Sequence, residues 1–176
     1  SYSAWQAQST GLELSEFRLR PLVKNAIEAQ QLTLIGQRVR LDVQIHDLTV
    51  IADRAKVRLI LDNLLSNAIK FTPRGGSIHI HARNDRGQLL LDVADSGPGI
   101  AAEDRSRIFE AFYQGRTPQG GHVKGTGIGL SVVLEFAHAH GGTVEILDGE
   151  FPGAHFRLRL PMRQRAGEPK ERAHAA

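Results

Sequence analysis

The strongest constraint on this chain lies around Phe71, where the apolar period changes. Upstream, Val57, Ile60, Leu61, Leu64, Leu65 and Ala68 recur at helical spacing and form one stripe. Asp53 is a good N-cap for that helix, which ends near Phe71. Downstream of the turn "PRGG", the stretches "SIHIHAR" and "QLLLDVAD" alternate with period two, and "NDRG" between them is a hairpin signal. Helices and hairpins continue to mix along the chain without regular βαβ alternation. That pattern predicts an α+β sandwich rather than a doubly wound sheet.

The remaining segments fill in this outline. "LELSEFRL" reads as a short strand, and Pro21 suits the first turn of a helix running to Ile35, with Gly36 as its stop. "RVRLDVQI" and "TVIA" read as strands. A short helix is expected over residues 102–112, then a long Gly-rich polar loop over 113–126. A further helix is expected over 127–140, stopped by Gly141 and Gly142, and "TVEIL" and "AHFRLRL" are the closing strands. Hydrophobic residues make up 41% of the 176, enough for one substantial core. A net charge of +3, with dispersed Arg and Lys and few aromatics, argues against a nucleic-acid binder. The absence of cysteine excludes a disulfide scaffold or a thiolate metal site. No apolar run reaches the length of a membrane-spanning helix.

Three stretches carry chemistry. Asn63, Asn67 and Lys70 recur at i, i+4 and i+7, so they share a row beside the apolar stripe, although Asn is a poor helix former. An Asn carbonyl oxygen is a hard neutral ligand suited to Mg²⁺, and a Lys one turn on can neutralise phosphate; a lone Asn–Lys pair would simply be a solvated helix face. Leu89, Leu91 and Val93 face one way on their strand, and Asp95 continues that apolar face. A carboxylate there either caps the turn "SGPGI" past the strand end or accepts a hydrogen bond from a ligand in a pocket, with Gly97 and Gly99 allowing close backbone approach. In "KGTGIGLS", Gly-rich backbone runs into a helix N-terminus, an arrangement that suits an anion. It matches neither a P-loop nor a Rossmann turn, and by itself it reads equally well as a flexible loop before a helix of small residues.

Taken in order, these stretches resemble the ATP-binding catalytic domain of bacterial sensor histidine kinases, in the superfamily shared with type II topoisomerases and heat-shock chaperones. "DNLLSNAIKFTP" is similar to the N box, "DSGPGI" to the first glycine box, "FEAFY" to the F box and "KGTGIGL" to the second glycine box; "GGTVEI" also fits its position. The resemblance covers residues 12–161 and implies a two-layer α/β sandwich of the Bergerat type, a mixed sheet of about five strands on about three helices. By the same resemblance, residues 1–11 are a linker from an upstream dimerisation and phosphoacceptor domain; residues 162–176, polar and basic, read as a disordered tail.

The resemblance also implies roles. Asn67 ligates Mg²⁺, Asn63 supports the metal–phosphate end, Lys70 contacts phosphate, and Asn67 and Lys70 are the catalytic pair. Phe71 packs near the adenine or ribose. Asp95 accepts from the adenine exocyclic amine and so discriminates against guanine; Gly97, Gly99 and Ile100 line the base pocket. Gly125, Thr126, Gly127, Gly129 and Leu130 form the phosphate end of a lid whose start is anchored by Phe109 and Phe112. Arg116 and Lys124 are its candidate cations, and Gln114 stands where many relatives have Arg.

Relatives that hydrolyse ATP place a Glu one helical turn before the metal-binding Asn, and here that position is Asn63. The resemblance therefore implies phosphoryl transfer to a His on a separate domain rather than activation of water. None of the eight His lies in the acceptor context; only His122, in the lid, is near the site. The implied cofactors are ATP and Mg²⁺. The implied partners are the upstream domain of the same protein and a response regulator, in a homodimeric protein of the inner membrane whose catalytic part is cytoplasmic. A non-catalytic nucleotide-binding regulatory module is the alternative.

Overall fold

The computed structural model describes residues 11–111 and 129–164. In chain order the elements are β1 (Leu14–Arg18), α1 (Leu19–Ala29), α2 (Gln31–Gly36), β2 (Arg40–Ile45), β3 (Thr49–Asp53), α3 (Arg54–Phe71), β4 (Ser77–Asp85), β5 (Gln88–Asp95), α4 (Gly129–Ala139), β6 (Thr143–Leu147) and β7 (His155–Pro161). Five strands form one sheet in the order β2-β4-β5-β7-β6. The β2–β4 pair is parallel and the other three pairs are antiparallel, so the sheet is mixed as expected. A second, two-stranded sheet pairs β1 with β3.

The change of period at Phe71 becomes the interface between the two layers. From α3, Val57, Ile60, Leu61, Leu64 and Leu65 are fully buried, and they meet Ile78 and Ile80 of β4, Leu89, Leu91 and Val93 of β5, and Phe156, Leu158 and Leu160 of β7 in one core. α1 and α4 both pack against α3. The hairpin turns at Arg86 (φ 55°) and Gly87 (φ 83°). Two consecutive left-handed residues define a type I′ turn, whose twist matches that of the flanking strands. Asn84 Oδ1 accepts from Gly87 N at 2.9 Å and holds the turn.

Three local expectations need correction. The helix expected from Pro21 to Ile35 is two helices, because Gln30 leaves helical geometry (φ −104°, ψ 6°) and its N–H closes on Ile27 O. No Gly or Pro marks that break. Among the described residues of 102–112 there is no α-helix but a run of turns, with i−3 bonds from Asp104 N to Ala101 O, Arg107 N to Asp104 O and Glu110 N to Arg107 O. So short a polar segment cannot sustain a helix without packing, and here only Ile108 and Phe109 reach the core. The described residues hold four helices, α1 to α4. Beyond Pro161 the chain still pairs: Ile51 N donates to Met162 O and Gln164 N to Ile51 O, both at 2.8 Å, so β7 runs on into the small sheet.

Candidate functional site

The site is built on α3, and the start of that helix is tied down from three directions. The Asp53 carboxylate accepts from Lys56 N at 3.1 Å, closing the N-cap, and from Glu13 N at 2.9 Å. Burial pushes the Asp53 carboxyl up, but the two N–H donors and the Lys56 ammonium at 3.4 Å outweigh it and hold it below its ordinary range. The third tie is His140, at the end of α4. Its Nε2 accepts from Asp53 N at 3.1 Å while its Nδ1 meets Phe136 O at 2.8 Å. An acceptor nitrogen carries no proton, so His140 is a neutral buried strut between the end of α4 and the start of α3.

The row beside the apolar stripe has the expected exposure: Asn63 and Asn67 are half-buried and Lys70 is exposed. Asn63 Nδ2 donates to Leu59 O at 2.8 Å, one turn back on its own helix, which leaves its amide oxygen outward. That oxygen faces the first turn of α4, since a Cβ added to Gly129 would lie 2.7 Å from it. The Asn67 carboxamide has no hydrogen-bond partner among the described residues, and Lys70 has no ion-pair partner there. Partial burial lowers the Lys70 pKa, as expected for an ammonium with no carboxylate beside it. The one acidic residue of α3, Asp62, is held by Arg58 Nε at 2.8 Å.

At the end of β5, Asp95 caps the turn that follows, the first of the two readings of its position. The residue is 2% exposed. Its Oδ1 accepts from Gly97 N at 2.8 Å, which is a turn cap, and from Ala154 N at 3.2 Å. Its Oδ2 meets no donor among the described residues. Burial raises the Asp95 pKa, and the two backbone N–H groups only partly counter it. A buried carboxylate oxygen without a donor is costly, and it is the feature expected of a group that receives a donor from a ligand.

Glycines bring these parts together. A Cβ on Gly97 would lie 2.5 Å from Phe71 O, so the turn after β5 closes directly on the last residue of α3. Ser96 Oγ accepts from Ser77 N at 2.9 Å and fixes the same corner from the other side. Gly99 is needed for its conformation (φ 80°) rather than for space. Phe71 is half-buried at this junction. Ile100 and Leu130 pack against the core, as does Phe109, whose ring meets Phe156 edge-on at 6.2 Å.

Two residues of this corner escaped the sequence reading. Gly153 is indispensable, because a Cβ there would lie 2.3 Å from Asp95 Oδ1, 2.4 Å from Asp95 O and 2.7 Å from Gly97 N. Ala154 supplies the second N–H to the carboxylate. The only local signal was "PG" in an ordinary turn. Phe112, Gln114, Arg116, His122, Lys124, Gly125, Thr126 and Gly127 lie outside the described residues.

Comparison with known proteins agrees with this arrangement. Residues 52–164 match the model of the family described as "Histidine kinase-, DNA gyrase B-, and HSP90-like ATPase". The histidine protein kinase DivJ of Caulobacter vibrioides is 38% identical over 160 residues, covering 86% of this chain and 27% of the relative. The chain spans only 9–34% of the length of the curated relatives it matches. Among solved structures, the catalytic domain of histidine kinase ThkA aligns with a TM-score of 0.75 at 27% identity, covering 87% of this chain and 99% of that one. Full-length ShkA in complex with AMPPNP aligns with a TM-score of 0.74 at 28% identity, covering 96% of this chain and 36% of that one. The chain belongs to the histidine kinase-, DNA gyrase B- and HSP90-like ATPase family, as an ATP-binding catalytic domain of the sensor histidine kinase type.

Proposed function

We propose that this domain binds ATP–Mg²⁺ between α3, the turn after β5 and the first turn of α4, and transfers the γ-phosphoryl group to a His on a separate domain. The observation that carries the proposal is the buried Asp95, with one oxygen capped by Gly97 and Ala154 and the other without a donor among the described residues. That second oxygen suits an adenine exocyclic amine, and a guanine carbonyl in the same place would meet a carboxylate with no proton to share. Gly97 lies between this carboxylate and Phe71 O, and Phe71, Gly99 and Ile100 would line the same end by family resemblance.

At the other end, the donor set fits a hard cation and phosphates. Asn67 offers a neutral amide oxygen that no group among the described residues uses, and would be the Mg²⁺ ligand, with Asn63 supporting it. Bound there, Mg²⁺ supplies charge neutralisation on the phosphate oxygens. Lys70, without a carboxylate partner among the described residues, adds a second positive charge. By family resemblance, the N-terminal part of α4 around Gly129 and Leu130 would present backbone N–H groups and a positive dipole end to the phosphates. Gly125, Thr126, Gly127, Lys124, Arg116 and Phe112 complete this end by family resemblance. No carboxylate of α3 is poised to activate water, because Asp62 is engaged by Arg58 and Asn63 occupies the other candidate position. The domain therefore orients the phosphoryl group and stabilises charge while an external imidazole attacks.

The acceptor is the dimerisation domain of the same protein, working as a homodimer, and the phosphoryl group passes on to a response regulator. In support, the related ThkA has been solved in complex with the response regulator protein TrrA. No helix among the described residues is long and apolar enough to cross a membrane. The domain acts on the cytoplasmic side, where ATP is available, of a protein anchored in the inner membrane.

Titration of the chain with ATP, ADP and GTP, with and without Mg²⁺, tests the binding half. ATP and ADP should bind and GTP should not; equal binding of GTP would remove Asp95 from its role. Incubation with labelled ATP should leave this chain unlabelled, and addition of a matching acceptor domain should give acid-labile phosphate on that domain. Nucleotide binding without any transfer would show a regulatory module instead.

A further inference from the structure

The sheet separates two chemistries. Asp95, Ile78 and Ile80 face the helices, so the residues between them on β4 face the other way. There, His79 and His81 stand two residues apart on one face, and Asp42 lies directly opposite His79 on the parallel neighbour β2. A single oxygen, Asp42 Oδ2, is 3.0 Å from His79 Nδ1 and 2.8 Å from His81 Nε2. The three donor atoms all lie within 4.8 Å of one another. Nothing in the nucleotide site uses them.

We propose that Asp42, His79 and His81 form a surface site for a divalent transition-metal ion of the zinc class, on the face of the sheet opposite the nucleotide site. Two imidazoles and one carboxylate are the ligand types such ions prefer, whereas Mg²⁺ and Ca²⁺ prefer all-oxygen sets. The spacing fits. Metal–ligand bonds of about 2.0–2.1 Å at tetrahedral angles place neighbouring donors about 3.3 Å apart. The two carboxylate–imidazole separations, 3.0 and 2.8 Å, need to widen by only a few tenths of an ångström (roughly 0.3–0.5 Å), and the two imidazole nitrogens, within 4.8 Å of each other, need to settle to the same spacing. Each ring would turn an unprotonated nitrogen to the ion, carrying its proton on the far nitrogen or releasing it if the ring is charged.

The surroundings already orient these ligands. The Phe151 ring stacks at a tilt on His79 with centroids 4.6 Å apart and lies 6.3 Å from His81, so both rings have an apolar wall. Gln44 Nε2 donates to the same carboxylate, at 3.2 Å from Oδ1 and 3.3 Å from Oδ2, and helps to orient it. All three residues are partly exposed, which leaves a fourth position open to water. β2 is an edge strand, so an ion here would staple the edge of the sheet to β4.

The test uses the 176-residue chain, freed of any oligohistidine tag and stripped of metal, without nucleotide. Zn²⁺ is titrated calorimetrically, and Co²⁺ by its visible absorption, which reports the ligand set. One ion per chain is expected, with a Zn²⁺-dependent rise in Tm and none with Mg²⁺. Outer-shell partners alone are worth about 10–100-fold in affinity, so His79→Gln and His81→Gln should each cost at least about tenfold. The double variant, checked for native circular dichroism, should lose both the binding and the Tm rise. Absence of stoichiometric binding by the wild-type chain would overturn the proposal. So would a folded double variant that binds as well as the wild type, because the ion would then sit on other histidines.

Discussion

The two ends of the candidate site are built in opposite ways. At the base end, Asp95 is buried and gripped by the backbone of Gly97 and Ala154, and the glycines around it leave no space for a side chain. At the phosphate end, Asn67 and Lys70 project from a helix face with no protein partner among the described residues. One end is preorganised by main chain, so its geometry is part of the fold. The other is a set of side chains, with only Asn63 tied, to its own helix at Leu59. The difference suggests a division of labour in which the rigid end selects the base and the adaptable end follows phosphates and metal.

The sharpest way to break that contrast is Gly153→Ala. The new Cβ would meet the backbone and carboxylate of Asp95 within 2.4 Å, and neither can move without opening β5 from β7. We expect a loss of about 1–3 kcal/mol in stability and loss of adenine nucleotide binding with or without Mg²⁺. Denaturant melts and a nucleotide titration would read both, and unchanged binding would show that the corner is not the base site.

Next in size is Asp95→Asn, which should weaken ATP by about tenfold or more, equivalent to about 1–3 kcal/mol for an unmatched buried group, even without metal. Its effect on the nucleotide-free chain should have the opposite sign. Burial raises the Asp95 pKa, so the folded state holds this proton more tightly than the unfolded one. That contribution lowers stability as pH rises from the ordinary carboxylate range, about 4, through the raised value. The Asn variant lacks it and should melt no lower than the wild type at neutral pH.

Asn67→Ala should leave metal-free base binding intact and remove the gain that Mg²⁺ confers. If it weakened metal-free binding as strongly as Asp95→Asn does, the two ends would not be separable. The smallest effect is outside both. Asp53→Ala removes the cap of α3, costing about 1 kcal/mol, in a Tm measurement at neutral pH. Asp53 and Asp92 both have depressed pKa values, Asp92 because its pair with Arg157 and its contact with His155 outweigh burial. Their stabilisation is present above about pH 4 and is lost as pH falls toward their folded values, so the Asp53→Ala deficit should shrink in acid.

Much of this was legible in the residues alone. The stripe on α3, the polar row beside it, the NDRG hairpin and the inward position of Asp95 all follow from period, because 3.6 and 2 assign faces without knowledge of neighbours. The break at Gln30, the turns over 102–111 and the neutral role of His140 did not follow, because each is decided by what packs against it.

By itself, then, the sequence determined the type of each long element, which face each buries, and the order of the nucleotide-box stretches. Only tertiary structure decided that Gly153, far along the chain, must be bare to let Asp95 turn inward, and that Asp42 reaches His79 and His81 across a parallel pair. Periodicity is a local property of the backbone. Close approach between distant segments depends on register and on the space between atoms, which no single segment encodes.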